Sequence, residues 1–420
     1  MAYKVAGIDV HKEVLMVVVC EVEVPETEPE RRRFGTTTSE LRRLSAWLRQ
    51  QGVQQAVMES TAQYWRPIWY ELEPYMHLSL AQAFSNRAPR GRKHDFRDAE
   101  RLIRRLVAGE LILSFVPEAE QRAWRTMTRM KVQLTRDKSR LQSQLECLLE
   151  EMRIKLSSVI SDLLGASGCR ILRALAQGEA DPKNLAALGS DRLQCTEEQL
   201  MDALSGNPQP FHRQLLALYL ERQQIIVEQM EKLDRMIAEA MKRYQEAVVR
   251  LAAVPGFGAD SAQQVIAEVG PEASMFPSAA NLTSWVGTCP GEEVSAEQNQ
   301  SSRSAKGNKY MRRILNQAAH AAVKKRGSHF QAVFRRLLPR LGYKGAIWAI
   351  AHRLCRLLWK ILHDGVVYIE RGTEPNPRAQ RQRVRTLVRA LRKLGYEVDL
   401  KLITPRIPAS PSLMEIPSTG

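Results

Sequence analysis

Two aspartates three residues apart, Asp95 and Asp98, stand inside a dense basic run, RGRKHDFRDAERLIRRL, residues 90–106. A solvated basic helix has no need of that pair. Two further acids fall at comparable places: Asp9 closes the apolar run YKVAGID, and Glu59 closes VQQAVME. Short apolar runs of this kind, ending in a charged residue, read as strands. At i and i+3, Asp95 and Asp98 share one face of a helix. If the strands carrying Asp9 and Glu59 are neighbours, all four carboxylates converge on that face. Two such charges within about 4 Å repel by about 4 kcal/mol at an effective dielectric of roughly 20. The cluster therefore needs a basic side chain or a divalent cation to neutralise it. A hard, oxygen-rich donor set suits Mg2+, and two such ions can clamp the attacking and leaving oxygens of an in-line phosphoryl displacement. The plainer reading makes Asp95 a helix N-cap and pairs Asp98 and Glu100 with Arg101 and Arg105 along the helix. Taken as a set, the four acids favour the metal site. His11 and His94 have weaker claims on it.

The elements that must position these acids follow from the same patterning. Three leading strands (YKVAGID, VLMVVVCEVE, RRRFGTT) are followed by helix, strand, helix, strand and helix, the last starting near Asp95. That order predicts a mixed sheet flanked by helices, an α/β domain over residues 1–116. From about Pro117 the texture becomes mainly α. Met127, Leu134, Leu141, Leu145, Leu148 and Met152 step by sevens, fours and threes, as does a second series from Ile226 through Met230, Leu233, Ile237, Met241, Tyr244 and Val248. Both read as coiled-coil seams, giving a helical region over 117–248 with a small helical insertion near 157–211. A further helical domain is expected over 249–372 and a basic tail over 373–420. The tail holds a basic helix, a strand-like YEVDLKLI and a Pro/Ser-rich end expected to be disordered.

VPGFGADSAQQVIAEVG fits a helix-hairpin-helix, in which Gly256 and Gly258 permit a tight turn and the next helix start offers N–H groups to a phosphate. Downstream, CPGEEVSAEQNQSSRSAKGNKYMRR reads as a polar loop flanked by helices. It places serines beside Arg303, Lys306, Lys309, Arg312 and Arg313. A serine among cations in a phosphate-binding segment can serve as a nucleophile, but spacing alone does not choose among Ser295, Ser301, Ser302 and Ser304.

Composition agrees with a polyanionic partner. The chain has 420 residues, enough for about three domains, and a formal net charge of +16. Each phosphate neutralised by such a surface releases counterions. The six cysteines are scattered without C-x-x-C spacing, which argues against a zinc site or a disulfide framework. No secretory signal pattern and no span-length apolar run stands in the sequence. The expectation is a cytoplasmic protein without a membrane partner.

GIDVHK, MEST, KHDFRDAERL, VPGFG and CPGEEVSAEQNQSSRSAKGNKYMRRILNQAA, in this order, closely resemble the RNA-guided insertion-sequence transposases with a DEDD catalytic domain, the IS110 family. The resemblance runs from about Val5 to Gly365 and is weaker in the insertion and the tail. It implies a RuvC-like, RNase H-type N-terminal domain whose Asp9, Glu59, Asp95 and Asp98 bind Mg2+. It also implies coiled-coil dimerisation and a C-terminal transposase domain with an essential serine. The family's P-x-x-x-x-S-[GA] segment reads PGEEVSA here and carries the serine's role onto Ser295, followed by alanine where many members have glycine. The S-x-R-x-x-K-G-N segment implies phosphate contacts from Arg303 and Lys306. Implied partners are donor and target DNA, a structured non-coding guide (bridge) RNA, and further copies of the chain: a dimer, and a tetramer when DNA is synapsed. Action on the bacterial nucleoid follows, through a 5′-phosphoserine intermediate. A metal-dependent hydrolytic nuclease of junction-resolvase type is the alternative.

Overall fold

In the computed structural model the chain forms two units, Met1–Arg122 and Ala123–Gly420. The structure describes residues 3–22, 28–59, 62–86, 95–189, 192–289, 293–295, 298–301, 304, 306–370, 372 and 377–400. Arg303, His94 and the tail beyond residue 400 lie outside the described residues. No helix among the described residues is long and apolar enough to cross a membrane.

The first unit is a mixed α/β domain. Its elements are β1 (Tyr3–Val10), β2 (Val14–Val22), β3 (Glu30–Gly35), α1 (Thr38–Gln50), β4 (Val53–Glu59), α2 (Trp65–Leu72), β5 (His77–Ala81), α3 (Asp95–Val107) and the short β6 (Leu113–Ser114). The strands form one sheet in the order β3-β2-β1-β4-β5-β6. β1 pairs antiparallel with β2 and parallel with β4, so the two acid-bearing strands are neighbours. β6, which pairs antiparallel with β5, has no counterpart in the sequence reading; two residues are too few for periodicity.

Both faces of the sheet are covered, which is why β1 and β4 read as nearly continuous apolar runs. Ala6, Ile8 and Val10 face one core with Leu44, Leu48, Ile68 and Leu72 of α1 and α2. Alternate residues point to the other face. There Val5 packs with Ala99 and Ile103 of α3, and Val57 with Leu102. The same alternation sends Asp9 and Glu59 toward α3. Gly7 lies between Val5 and Asp9 and allows the approach. A Cβ on it would stand 2.2 Å from the Ala99 carbonyl oxygen and 2.9 Å from Cγ1 of Ile103.

The second unit is helical. The long α4 (Ala119–Glu151) begins just before the unit boundary. Next come α5 (Leu156–Val159), α6 (Ala166–Ala176), α7 (Pro182–Ala187), α8 (Glu197–Leu204), α9 (Pro210–Ala240), α10 (Gln245–Ala252), α11 (Ala259–Val269) and α12 (Ala279–Val286). A two-stranded hairpin, β7 (Glu293–Ser295) with β8 (Gln298–Ser301), precedes α13 (Lys309–Lys324), α14 (His329–His363) and α15 (Pro377–Lys393).

Three expectations change here. Most residues of both heptad series are buried in a core of this same chain, Leu141, Leu145 and Met152 at 0% exposure and Ile237 at 2%. The second series also runs past the end of α9, through a short 3-10 turn and into α10. An apolar repeat reports that a face is covered, not that another chain covers it. Ser295 stands in a hairpin rather than a loop. Tyr396–Leu400, the described part of YEVDLKLI, forms no strand.

α14 is two helices joined at Gly342, whose φ of 65° and ψ of 174° break the helix three residues after Pro339. Pro339 removes an intrahelical donor, and glycine alone tolerates the positive φ without strain.

Gly7→Ala should push α3 off β1. Overpacking of this kind costs about 1–3 kcal/mol, so the urea midpoint of the variant should fall while its far-ultraviolet circular dichroism stays near wild type.

Candidate active site

At the end of the sheet, Asp9 and Glu59 lie one residue beyond the Ile8–Met58 pair, beside the first turn of α3, which carries Asp95 and Asp98. Oxygen and nitrogen atoms of Asp9, His11 and Asp95 lie within 4.8 Å of one another, a spacing that could hold a metal ion. His11 Nε2 is 3.2 Å from Asp9 Oδ2. Asp9 and Asp98 are each only 9% exposed.

The other two acids are engaged by side chains that sequence reasoning passed over. Asn86, 2% exposed, donates from Nδ2 to Glu59 Oε2 at 3.0 Å. Arg101 donates from Nε to the Asn86 backbone and side-chain oxygens, both at 3.1 Å, and from its terminal nitrogen to Asp98 Oδ1 at 2.7 Å. A chain Glu59–Asn86–Arg101–Asp98 therefore spans the site. The plainer sequence reading foresaw the Asp98–Arg101 pair, but as a surface contact, whereas both partners are largely buried. Glu100 turns away and pairs with Arg31 on β3 at 2.7 Å. Glu59 and Asp98 each keep one oxygen outside these bonds.

The electrostatics divide accordingly. Burial pushes the Asp9 carboxyl above its ordinary range; His11 pulls it back, while Glu59, Asp95 and Asp98 push it further up. Among the described residues one guanidinium and one imidazole face the four carboxylates, a donor set that could hold a cation. Its chemistry, mainly carboxylate oxygen with one histidine, fits a hard or borderline divalent ion. On the flank of α3, Arg97, Arg101, Arg104 and Arg105 line a cavity of about 810 Å3 with Cys20 and Glu100.

The remaining sequence candidates belong to the second unit. Ser295 pairs with Gln298 through the hairpin. Lys306 and Lys309 are exposed. Gly256 has a φ of 89°, and a Cβ there would meet the Ala318 carbonyl at 2.2 Å, so it seats the turn on α13. The Gly258 N–H, expected to await a phosphate, instead donates to Ser261 Oγ at 2.9 Å. Arg312 binds the Gly287 carbonyl and donates to Ser304 Oγ at 3.1 Å. Arg313 holds Gln264 on α11 and Gln317. Arg312 thus braces the serine segment, while Arg313 ties α13 to α11.

That segment has a buried anchor. Glu268, 1% exposed, accepts two hydrogen bonds of 2.8 Å from Arg129 and one of 2.8 Å from Asn308. Asn308 in turn caps α13, its Oδ1 accepting from the Tyr310 and Met311 N–H groups at 2.9 and 3.0 Å. Gly307 packs so tightly that a Cβ would lie 2.2 Å from the Val286 carbonyl. The Lys-Gly-Asn motif thus gains a physical reason: glycine for the close approach, asparagine for the cap and the bond to Glu268.

Residues 6–154 match a DEDD-type IS110 transposase model, and residues 249–335 match the model described as transposase, IS116/IS110/IS902 family. The chain belongs to this transposase family. A Pseudomonas aeruginosa protein named "Probable family 20 transposase" is 28% identical over 314 residues, covering 73% of this chain and 83% of that protein. A Sinorhizobium fredii protein named "Putative transposase y4pF/y4sB" is 26% identical over 284 residues, 66% of this chain and 64% of that protein.

Two outcomes follow for the transposase. A carboxyl with a raised folded pKa contributes stability at low pH that is lost as pH rises through that pKa; at neutral pH ionised Asp9 is a cost. In chelator, Asp9→Asn should raise the denaturation midpoint at pH 7.5, with the gain shrinking as pH falls toward the raised pKa. Glu268→Ala removes the carboxylate that pairs with the Arg129 guanidinium and should cost about 3–5 kcal/mol by chemical unfolding, with Glu268→Gln less damaging.

Proposed function

We infer that this transposase is a DNA recombinase that cuts and rejoins donor and target DNA, using Mg2+ at the Asp9, Glu59, Asp95 and Asp98 cluster and Ser295 as nucleophile. The carrying observation is the convergence of Asp9, His11 and Asp95 beside two further acids whose charge is only partly offset. The order β3-β2-β1-β4-β5, antiparallel then parallel, supports a RuvC-like, RNase H-type reading of the first unit. Bound Mg2+ would polarise the scissile phosphodiester and stabilise its developing charge.

The chain's own residues supply the rest. Ser295 Oγ bonds to phosphorus as the bond to the 3′-oxygen breaks, and the serine's proton ends on the departing 3′-oxygen, leaving a 3′-hydroxyl. The resulting 5′-phosphoserine conserves the phosphodiester's energy, so a 3′-hydroxyl of the new partner can displace the serine without ATP. Asn86 and Arg101 hold Glu59 and Asp98 in place, and Asp9 and Asp95 with them would hold the metal. The arginines of α3 are suited to the DNA backbone, and Gly256, Lys306 and Lys309 are placed on the second unit's nucleic-acid surface in this reading. Arg303 takes the same part by its motif. α10, the turn and α11 act as the helix-hairpin-helix.

The reading includes a structured guide RNA that selects the DNA, and a homo-oligomer. An exposed apolar stripe on α9, Phe211, Leu215, Leu218, Ile225 and Met236, keeps heptad spacing and supports pairing of two copies as a coiled coil. Ser295 and the acids then act across protomers, with a tetramer when two DNA sites are synapsed.

Incubated with Mg2+ and end-labelled DNA, with co-purified RNA retained, wild type should give a label-shifted protein band on a denaturing gel and Ser295→Ala none. Cleavage without adduct in both proteins would establish the hydrolytic nuclease instead. Mixed Ser295→Ala and Asp95→Ala oligomers should recover adduct formation; absence of rescue counts against a site shared between protomers.

A further inference from the structure

α13 and the second half of α14 enclose a cavity of about 420 Å3 that opens beside Ser304. α13 contributes Arg312, Asn316 and His320, spaced four apart and therefore on one face. The far wall is Tyr343, Lys344 and Trp348, which follow the break at Gly342. Its volume lies in the range of small-molecule sites, about 300–1,000 Å3.

The lining is of mixed character. The Arg312 guanidinium stacks over Trp348, 4.4 Å from the ring centre. Tyr343 is 53% exposed, and its hydroxyl lies 3.1 Å from His320 Nδ1. Phe334 packs edge-on against Tyr343 with ring centres 5.6 Å apart, steadying its ring without covering the cavity. The Asn316 amide, half-buried, has no hydrogen-bond partner among the described residues. Lys344 is exposed. The cavity thus offers planar side chains, an uncommitted donor–acceptor amide and cationic side chains at its rim. A free phosphate would use the cations alone, and an apolar ligand would strand the amide. A nucleotide uses all three: base against the aromatic side chains, base edge on Asn316, backbone phosphate toward Lys344.

We propose that this cavity receives one unstacked nucleotide of the DNA strand under exchange. The inference rests on the recombinase reading, and adds to it a base-binding pocket beside the serine segment. Ser304, at its mouth, belongs to the segment that carries Ser295, so the strand attacked by that serine is the one within reach. Holding a base out of the stack would fix the register of the strand relative to the hairpin. It would also make an already unpaired or mismatched nucleotide the preferred occupant, since its unstacking costs least.

The test uses the full chain, fluorescence anisotropy and three single-stranded eight-mers with equal phosphate number: a DNA oligonucleotide, its abasic counterpart and an RNA of the same sequence. Base stacking on aromatic side chains is sequence-tolerant and strong enough to read. Wild type should bind the DNA eight-mer about tenfold more tightly than the abasic one. Tyr343→Ala and Asn316→Ala should each reduce that ratio toward one while leaving abasic binding unchanged; thermal melting of both variants checks that the unit remains folded. A wild-type ratio of one, with both strands bound, overturns the pocket and leaves the recombinase reading standing. An unchanged ratio in both folded variants also overturns it. RNA bound as tightly as DNA by wild type, and weakened equally by the two substitutions, overturns the assignment to the DNA strand. Failure to bind any strand sinks both the pocket and the reading beneath it.

Discussion

The active-site arrangement depends on one backbone contact, the seating of α3 against β1 at Gly7. Four carboxylates do not collect of their own accord; their mutual repulsion has to be outweighed by packing elsewhere. Val5, Ala99, Ile103 and Leu102 supply that packing along the length of α3, and the absent side chain at Gly7 lets the helix backbone come down on the strand. Asp95 and Asp98 then have no choice but to face Asp9. The same contact explains why a helix as basic as α3 can dock on an apolar sheet: its arginines point along the flank or into the site, and its small residue, Ala99, meets the strand.

Within the cluster the charge is handled in two ways. Glu59 and Asp98 are steadied by an amide and a guanidinium that reach them from opposite sides, at a cost in desolvation typical of buried polar networks. Asp9, Asp95 and His11 are left facing one another. A site built this way is stiff on one half and electrostatically unsatisfied on the other. Stiffness holds the ligands in place, and the residual repulsion favours a cation over the empty state. Repulsion of this kind is what a bound cation would relieve.

Much of this was legible from residue types alone. Both Asp9 and Glu59 could be read as strand ends, their convergence hanging on whether the two strands pair, as they do, and the i, i+3 spacing of Asp95 and Asp98 required a shared helix face. Asn86 was not legible, because it lies in a short 3-10 turn between β5 and α3 with no periodicity to mark it. Arg101 could be read only as a neighbour of Asp98, since nothing local says that the pair is buried. His11 was underrated because the His-to-Asp distance depends on the turn after β1 rather than on strand register. The heptads of α4 and α9 were plain, but spacing carries no information about which surface covers them. β7 and β8 were invisible for the opposite reason: QNQS is polar throughout and shows no apolar alternation.

Arg312 has a consequence for how the serine segment can evolve. One guanidinium holds the Gly287 carbonyl before the hairpin and the Ser304 hydroxyl after it. The ends of the segment are thereby stapled, and the chain between them behaves as a closed loop. Closure entropy grows only slowly with loop length, by about 0.6 kcal/mol per doubling. Insertions and deletions between the staple points are therefore thermodynamically cheap, while the staple itself is not. A change in the length of that loop would alter its closure cost little, whereas loss of either footing would open it.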